Sequence, residues 1–131
     1  MDDDTFDLAD TYLQLDDGPR AHRVWAVVEH FWEQIADRPD LDGGRLVMMM
    51  RYTDDWDSWE MHPAGDELVY VLDGAVDLIL DEEHRERVVE LRGRSGCVVP
   101  RGVWHRGVVH RPGDVLYITR GAGTQHRPVE A

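Results

Sequence analysis

Apolar and polar positions alternate along most of this chain, the period of strands that bury one face. The first such run is Thr11-Tyr12-Leu13-Gln14-Leu15, closed by the turn residues Asp16-Asp17-Gly18-Pro19. From Arg45 onward the pattern predicts strands over 46–52, 56–62, 67–72, 75–80, 88–91, 97–99, 104–110 and 115–120. Asp73-Gly74 predicts a two-residue hairpin between the strands on either side of it. Residues 81–87 read as a charged loop tip. The stretch 24–36 fits two descriptions. Val24, Val28, Phe31, Trp32 and Ile35 recur at helical spacing, whereas 23–28 is rich in β-branched residues. A strand followed by one short helix over 30–36 is the reading adopted.

Short strands separated by frequent turns predict an all-β single domain, a sandwich or a small barrel. No alternation of strands with long helices supports a doubly wound fold. The expected organisation is an acidic N-terminal tail over 1–10, a β-barrel domain over 11–125 and a C-terminal tail over 126–131. The stretch from Gly121 to Ala131 reads as tail-like, with Thr124 to Arg127 the part able to pin it.

One stretch carries the candidate chemistry. Glu60-Met61-His62 places a carboxylate and an imidazole two positions apart, on one face of a strand and about 7 Å from each other. Glu67 is an odd number of residues from His62, so in an unbroken strand the two would diverge. The turn Pro63-Ala64-Gly65-Asp66 resets the alternation, and Glu67, Val69 and Val71 can then line one face. Val76, Leu78 and Leu80 continue an interior face. His105 follows the turn Pro100-Arg101-Gly102, at a strand start where a rim residue can lean inward. Two imidazoles and two carboxylates suit a divalent metal, imidazole favouring Zn, Fe, Ni or Cu and carboxylate shifting the balance toward Mn and Fe; the alternative on spacing alone is four unrelated surface or turn groups.

The spacing resembles the two motifs of the cupin superfamily. The first is written G-x5-H-x-H-x(3,4)-E-x6-G, and Glu60, His62, Glu67 and Gly74 keep its spacing. The second is G-x5-P-x-G-x2-H-x3-N, whose middle matches Pro100, Gly102 and His105. Four positions depart from the pattern. Glu60 stands where the family has its first histidine, Asp54 and Arg94 stand for the leading glycines, and Val109 stands for the final asparagine. The resemblance implies a cupin-like jelly-roll β-barrel and a homodimer. It also implies one divalent metal ion (Fe, Mn, Zn or Ni) held by Glu60, His62, Glu67 and His105. Cupins include dioxygenases, isomerases and epimerases, so a metal-dependent enzyme acting on a small molecule is expected. The alternative is a non-catalytic module that binds a metal or small molecule.

Among the remaining residues, Tyr117 shares a face with Thr119 and could line the pocket with its hydroxyl. His110 should face away from His105. Cys97, the only cysteine, reads as inert packing and excludes an internal disulfide. At 131 residues and 42% hydrophobic, the chain can bury a core of its own. Its formal net charge of −13 repels nucleic acid and anionic membrane surfaces, and no partner of either kind is expected. All 14 basic residues are arginine, which removes lysine Schiff-base chemistry. No apolar run is long enough to span a bilayer. The start Met1-Asp2-Asp3-Asp4 is the reverse of a basic signal peptide, so the expected location is the cytoplasm.

Overall fold

The computed structural model describes residues 4–25 and 38–130. The helix expected over 30–36, and the end of the strand expected before it, lie outside the described residues. Eleven strands and one 3-10 turn are described: β1 (Thr11–Leu15), β2 (Ala21–Trp25), η1 (Pro39–Leu41), β3 (Arg45–Tyr52), β4 (Ser58–Met61), β5 (Glu67–Val71), β6 (Ala75–Glu82), β7 (Arg85–Arg92), β8 (Ser95–Val99), β9 (Trp104–Arg111), β10 (Gly113–Thr119) and β11 (Gln125–Pro128). They form two antiparallel sheets, in the orders β2-β1-β3-β10-β5-β8 and β11-β4-β9-β6-β7. The fold is an all-β jelly roll. No helix among the described residues is long and apolar enough to cross a membrane.

Alternation decides which side chains enter the space between the sheets. In β5, Glu67, Val69 and Val71 are buried while Leu68 and Tyr70 are half-buried on the other face. In β10, Val115, Tyr117 and Thr119 point inward. Val76, Leu78 and Leu80 of β6 meet them in one core, together with Tyr12, Leu46 and Met48. Each such aliphatic side chain contributes about 1.5–3 kcal/mol by leaving water, which is what holds the two sheets face to face.

From β3 onward the chain changes sheet at every connection except β6–β7, and this corrects the expected hairpin at Asp73-Gly74. Strand β5 pairs with β10 and β8, whereas β6 pairs with β7 and β9. Asp73-Gly74 therefore carries the chain from one sheet to the other. Gly74 has φ +91°, and a Cβ there would stand 2.7 Å from the Arg111 carbonyl oxygen. Turn residues mark a change of direction, but the partner of each strand is set by distant sequence.

The expected charged loop over 81–87 is also corrected. Strands β6 and β7 run on through it, pairing Asp81 with Glu86 and Glu82 with Arg85. Only Glu83 and His84 turn, both at positive φ, the backbone of a tight hairpin. Arg87 reaches back to Glu82 at 2.7 Å. Charges persist in this ladder because its end is bathed in water on both faces. The expected C-terminal tail begins inside a strand, since Gln125–Pro128 pairs with β4.

Candidate metal centre

Strand ends converge at one end of the barrel. Glu60 is near the end of β4, His62 lies just beyond it, Glu67 opens β5 and His105 is the second residue of β9. The register sets Glu60 directly opposite His105. The two connecting loops are tied together. The Gly102 amide donates to the His62 carbonyl at 3.0 Å, and the Arg101 amide donates to the Asp66 carboxylate at 2.8 Å. Gly102 adopts φ +80°, which favours glycine at that point of the turn.

The structure brings together all four residues singled out by spacing. Glu60, His62 and His105 each bring a ligand atom within 4.8 Å of the others. Glu67 lies between the imidazoles, with Oε2 3.0 Å from His62 Nε2 and Oε1 3.0 Å from His105 Nε2. Glu60 Oε2 is 3.9 Å from His62 Nε2. His62, Glu67 and His105 are buried, while Glu60 is 14% exposed and faces the opening.

The outer ring nitrogens fix the inner ones. His105 Nδ1 is 3.0 Å from the Val103 carbonyl oxygen, which can only accept, so Nδ1 carries a proton. Thr124 spends its hydroxyl proton on the Gly121 carbonyl at 2.8 Å, so its oxygen accepts from His62 Nδ1, also at 2.8 Å. Both histidines thus turn Nε2 toward the same point. Ligating histidines are held in this way, with the second ring N–H bonded to a fixed acceptor.

Charge binds the cluster in the absence of an ion. Burial alone would favour the neutral carboxyl of Glu67. The hydrogen bond from His105, and the charge of both imidazoles beside it, overturn that and hold it well below the usual carboxylate range. Burial likewise opposes a charged His105, and the bond and charge of Glu67 outweigh it and raise its pKa. Thr119, fully buried at the end of β10, donates its hydroxyl to Glu67 Oε2. The donor set suits a divalent ion. Ligands at right angles around an ion with bonds of about 2.1 Å stand about 3 Å apart, close to the separations of Glu67 from the two imidazoles, while Glu60 stands wider, at 3.9 Å from His62.

An aromatic wall flanks the centre. Tyr117 is buried and points inward, with its ring 6.1 Å from Trp56 and 6.3 Å from Tyr52. Burial raises the pKa of both tyrosines, and the charge of Glu60 adds to this, so their hydroxyls stay protonated. The Trp56 ring is 6.0 Å from that of His105 and lies across Gly107, where a Cβ would come within 2.8 Å of it. Tyr52, Trp56 and Glu60 border a cavity of about 320 Å³, rimmed by Asp54, Asp55 and Asp57.

Several of these contributors carried no signal strong enough to assign them a role from sequence. Thr119 was visible only as sharing a face with Tyr117. Thr124 and His126 sit in a segment that reads as a tail, and Trp56 is one tryptophan among five. His110 is exposed, as its odd spacing from His105 predicts, and bonds Asp77 at 2.7 Å. Burial raises the Cys97 thiol pKa, which agrees with inert packing.

Similarity to solved structures now bears on the arrangement. The chain superposes on an oxalate oxidase in complex with the substrate analogue glycolate, with a TM-score of 0.53, 14% identity and coverage of 62% of this chain and 45% of that one. A cupin-2 domain containing protein from Shewanella frigidimarina matches over 56% of this chain and 68% of that one, at 18% identity and a TM-score of 0.49. The two-sheet jelly roll and the likeness to the oxalate oxidase give the chain the fold that its motifs imply, that of cupins. Another match is Peruvianin-I from Thevetia peruviana latex, whose description is a cysteine peptidase, with a TM-score of 0.55, 16% identity and coverage of 66% and 58%. At such identities the likeness concerns the fold alone, and this chain spans less than half of the oxalate oxidase chain. No protein-family model and no curated protein matches the sequence.

Three departures from the cupin motifs have a visible structural setting. Arg94, in the place of a glycine, adopts φ +65° and so keeps glycine's backbone with a side chain attached. Val109, in the place of the asparagine, donates its amide to the Asp55 carboxylate at 2.7 Å and ties the 53–57 loop to β9. Glu60, in the place of the first histidine, puts a carboxylate at the cavity edge.

Proposed function

We propose that this cupin binds one divalent metal ion through Glu60, His62, Glu67 and His105 and works as a metal-dependent enzyme on a small organic molecule. The observation that carries this reading is the paired histidine orientation. Two buried Nε2 atoms face one point between two carboxylates, while both Nδ1 atoms are bonded outward. When bound, Fe, Mn, Zn or Ni would supply Lewis acidity or oxygen activation at that point.

The chain's own residues would do the rest. Thr119 and the two imidazoles fix the Glu67 carboxylate, and Val103 and Thr124 fix the imidazoles. Trp56 and Tyr52 offer ring faces to the apolar part of a ligand in the cavity. Tyr117 holds a protonated hydroxyl behind them. Asp54, Asp55, Asp57 and Glu60 outnumber Arg51 at the opening, so neutral or cationic molecules enter more readily than dianions. The binding-module reading is favoured by Glu60 itself. A second carboxylate adds charge and oxygen character to the donor set and strengthens its hold on a hard ion without supplying a reaction.

A homodimer is part of this proposal. Leu72 and Val98 are 40% and 59% exposed, and Val98 lies on β8, the last strand in its sheet's order, where it pairs with Leu68 of β5. An apolar face on such a strand fits a second copy of the chain.

The test is turnover and oxygen consumption by the metal-loaded protein against a panel of phenols, amines, sugars and small acids. Metal-dependent conversion of a panel member supports the enzyme. Metal-dependent binding without conversion of any member that binds supports the module.

A further inference from the structure

We infer that the C-terminal strand β11 and the residue that leads into it are a working part of the metal centre, with Thr124 just before the strand and His126 within it as positioning residues. This rests on the metal-binding reading above, and neither residue belongs to the two motifs that the chain shares with cupins. The two contacts are independent, because they act on different ligands.

Thr124 acts on His62. Its single hydroxyl proton goes to the Gly121 carbonyl, which leaves the oxygen to accept from His62 Nδ1 at 2.8 Å. That bond keeps the proton on Nδ1 and turns the Nε2 lone pair inward. His126 acts on Glu60. The register of β11 against β4 sets His126 directly opposite Glu60, and its Nε2 is 3.4 Å from Glu60 Oε1. The other oxygen of the same carboxylate, Oε2, faces His62. Glu60 is therefore divided between the strand that braces it and the centre it serves. This matters at Glu60 in particular, because a carboxylate on a flexible stem has replaced a ring at this point of the motif and gains most from an external hold.

The strand is itself anchored on its outer face. Arg127 pairs with Asp81 at 2.7 Å and lies over the rings of Trp59 and Trp104, with its guanidinium carbon 5.2 and 4.6 Å from their centroids. Arg127 points outward while His126 points to the centre, as strand alternation requires.

The experiment measures the Zn(II) dissociation constant by chelator competition, and the Co(II) absorption spectrum, for the wild type, Thr124→Val, His126→Ala and their conservative counterparts Thr124→Ser and His126→Gln. Each disruptive change should weaken Zn(II) binding about 10–100-fold and alter the Co(II) bands, as loss of an outer-shell partner does. The serine and glutamine variants should recover most of the affinity, and melting of the metal-stripped protein should stay near that of the wild type. Wild-type affinity in both disruptive variants overturns the inference and leaves the metal reading standing. Weakened binding that serine and glutamine do not restore, and that tracks lost stability, also overturns it. A wild type that takes up neither ion overturns both.

Discussion

Replacing Glu67 with glutamine isolates the buried cluster from any bound ion. The carboxylate is 1% exposed, accepts from Thr119 and His105, and lies 3.0 Å from His62 Nε2. Glutamine keeps the shape but offers one acceptor oxygen, and its amide nitrogen then confronts an imidazole N–H. A hydrogen bond to a charged group contributes about 1.5–3 kcal/mol, and removing one partner of a buried ion pair costs about 3–5 kcal/mol. His105 can shed its proton in response, so the expected loss in metal-stripped protein is near the lower end, about 3 kcal/mol. The sign of the pH dependence follows from the two shifts. Glu67 is depressed, so its contribution is present above the unfolded carboxyl value of about 4.3 and is lost as pH falls through the folded value. His105 is raised, so its contribution is present below the unfolded imidazole value of about 6.5 and is lost as pH rises through the folded value. The gap between wild type and Glu67→Gln should therefore be widest between about pH 4.5 and 6.5 and narrow on both sides. Urea unfolding of the metal-stripped proteins, followed by tryptophan fluorescence across pH, measures it. A loss under about 1 kcal/mol that does not vary with pH would refute the coupling of these three side chains.

Other changes test the surrounding frame. Arg94→Gly should stabilise the fold by about 0.5–1 kcal/mol in denaturant unfolding, because relief at φ +65° exceeds the flexibility that glycine adds to the unfolded chain. Gly107→Ala should cost about 1–3 kcal/mol and shift the Trp56 emission, since the new Cβ meets the indole at 2.8 Å. Val98→Asp should convert a dimer to a monomer in light scattering without a loss of metal affinity, because the substitution charges the exposed β8 edge and leaves the barrel end untouched.

Local pattern carried much of this structure. The alternation of Glu67, Val69 and Val71 put a carboxylate on the same inward face as two core valines, and the turn at 63–66 made room for His62 to meet it. Such features depend on neighbours in sequence, so they are legible there. Partner choice is not local. Asp73-Gly74 looks the same whether the next strand pairs with the last or crosses to the opposite sheet, and here β10 and β8 occupy both sides of β5. The charged ends of β6 and β7 mislead for a related reason, since a ladder in water can carry polar side chains on both faces. The role of β11 was hidden most thoroughly. Gln125-His126-Arg127-Pro128 has no apolar alternation, and all four residues are exposed. It is a strand because β4 offers it an edge, and its bearing on Glu60 and His62 exists only once that pairing forms.

The most direct test of the proposed centre is metal content. Wild-type protein and the double variant His62→Ala/His105→Ala are stripped with chelator, exposed to Fe(II), Mn(II), Zn(II) or Ni(II), desalted and assayed for bound metal, with folding of both checked by circular dichroism. A single ion per wild-type chain and none in the folded double variant is the predicted result. A wild type that retains no ion under any of these metals, or a double variant that retains as much as the wild type, would contradict it.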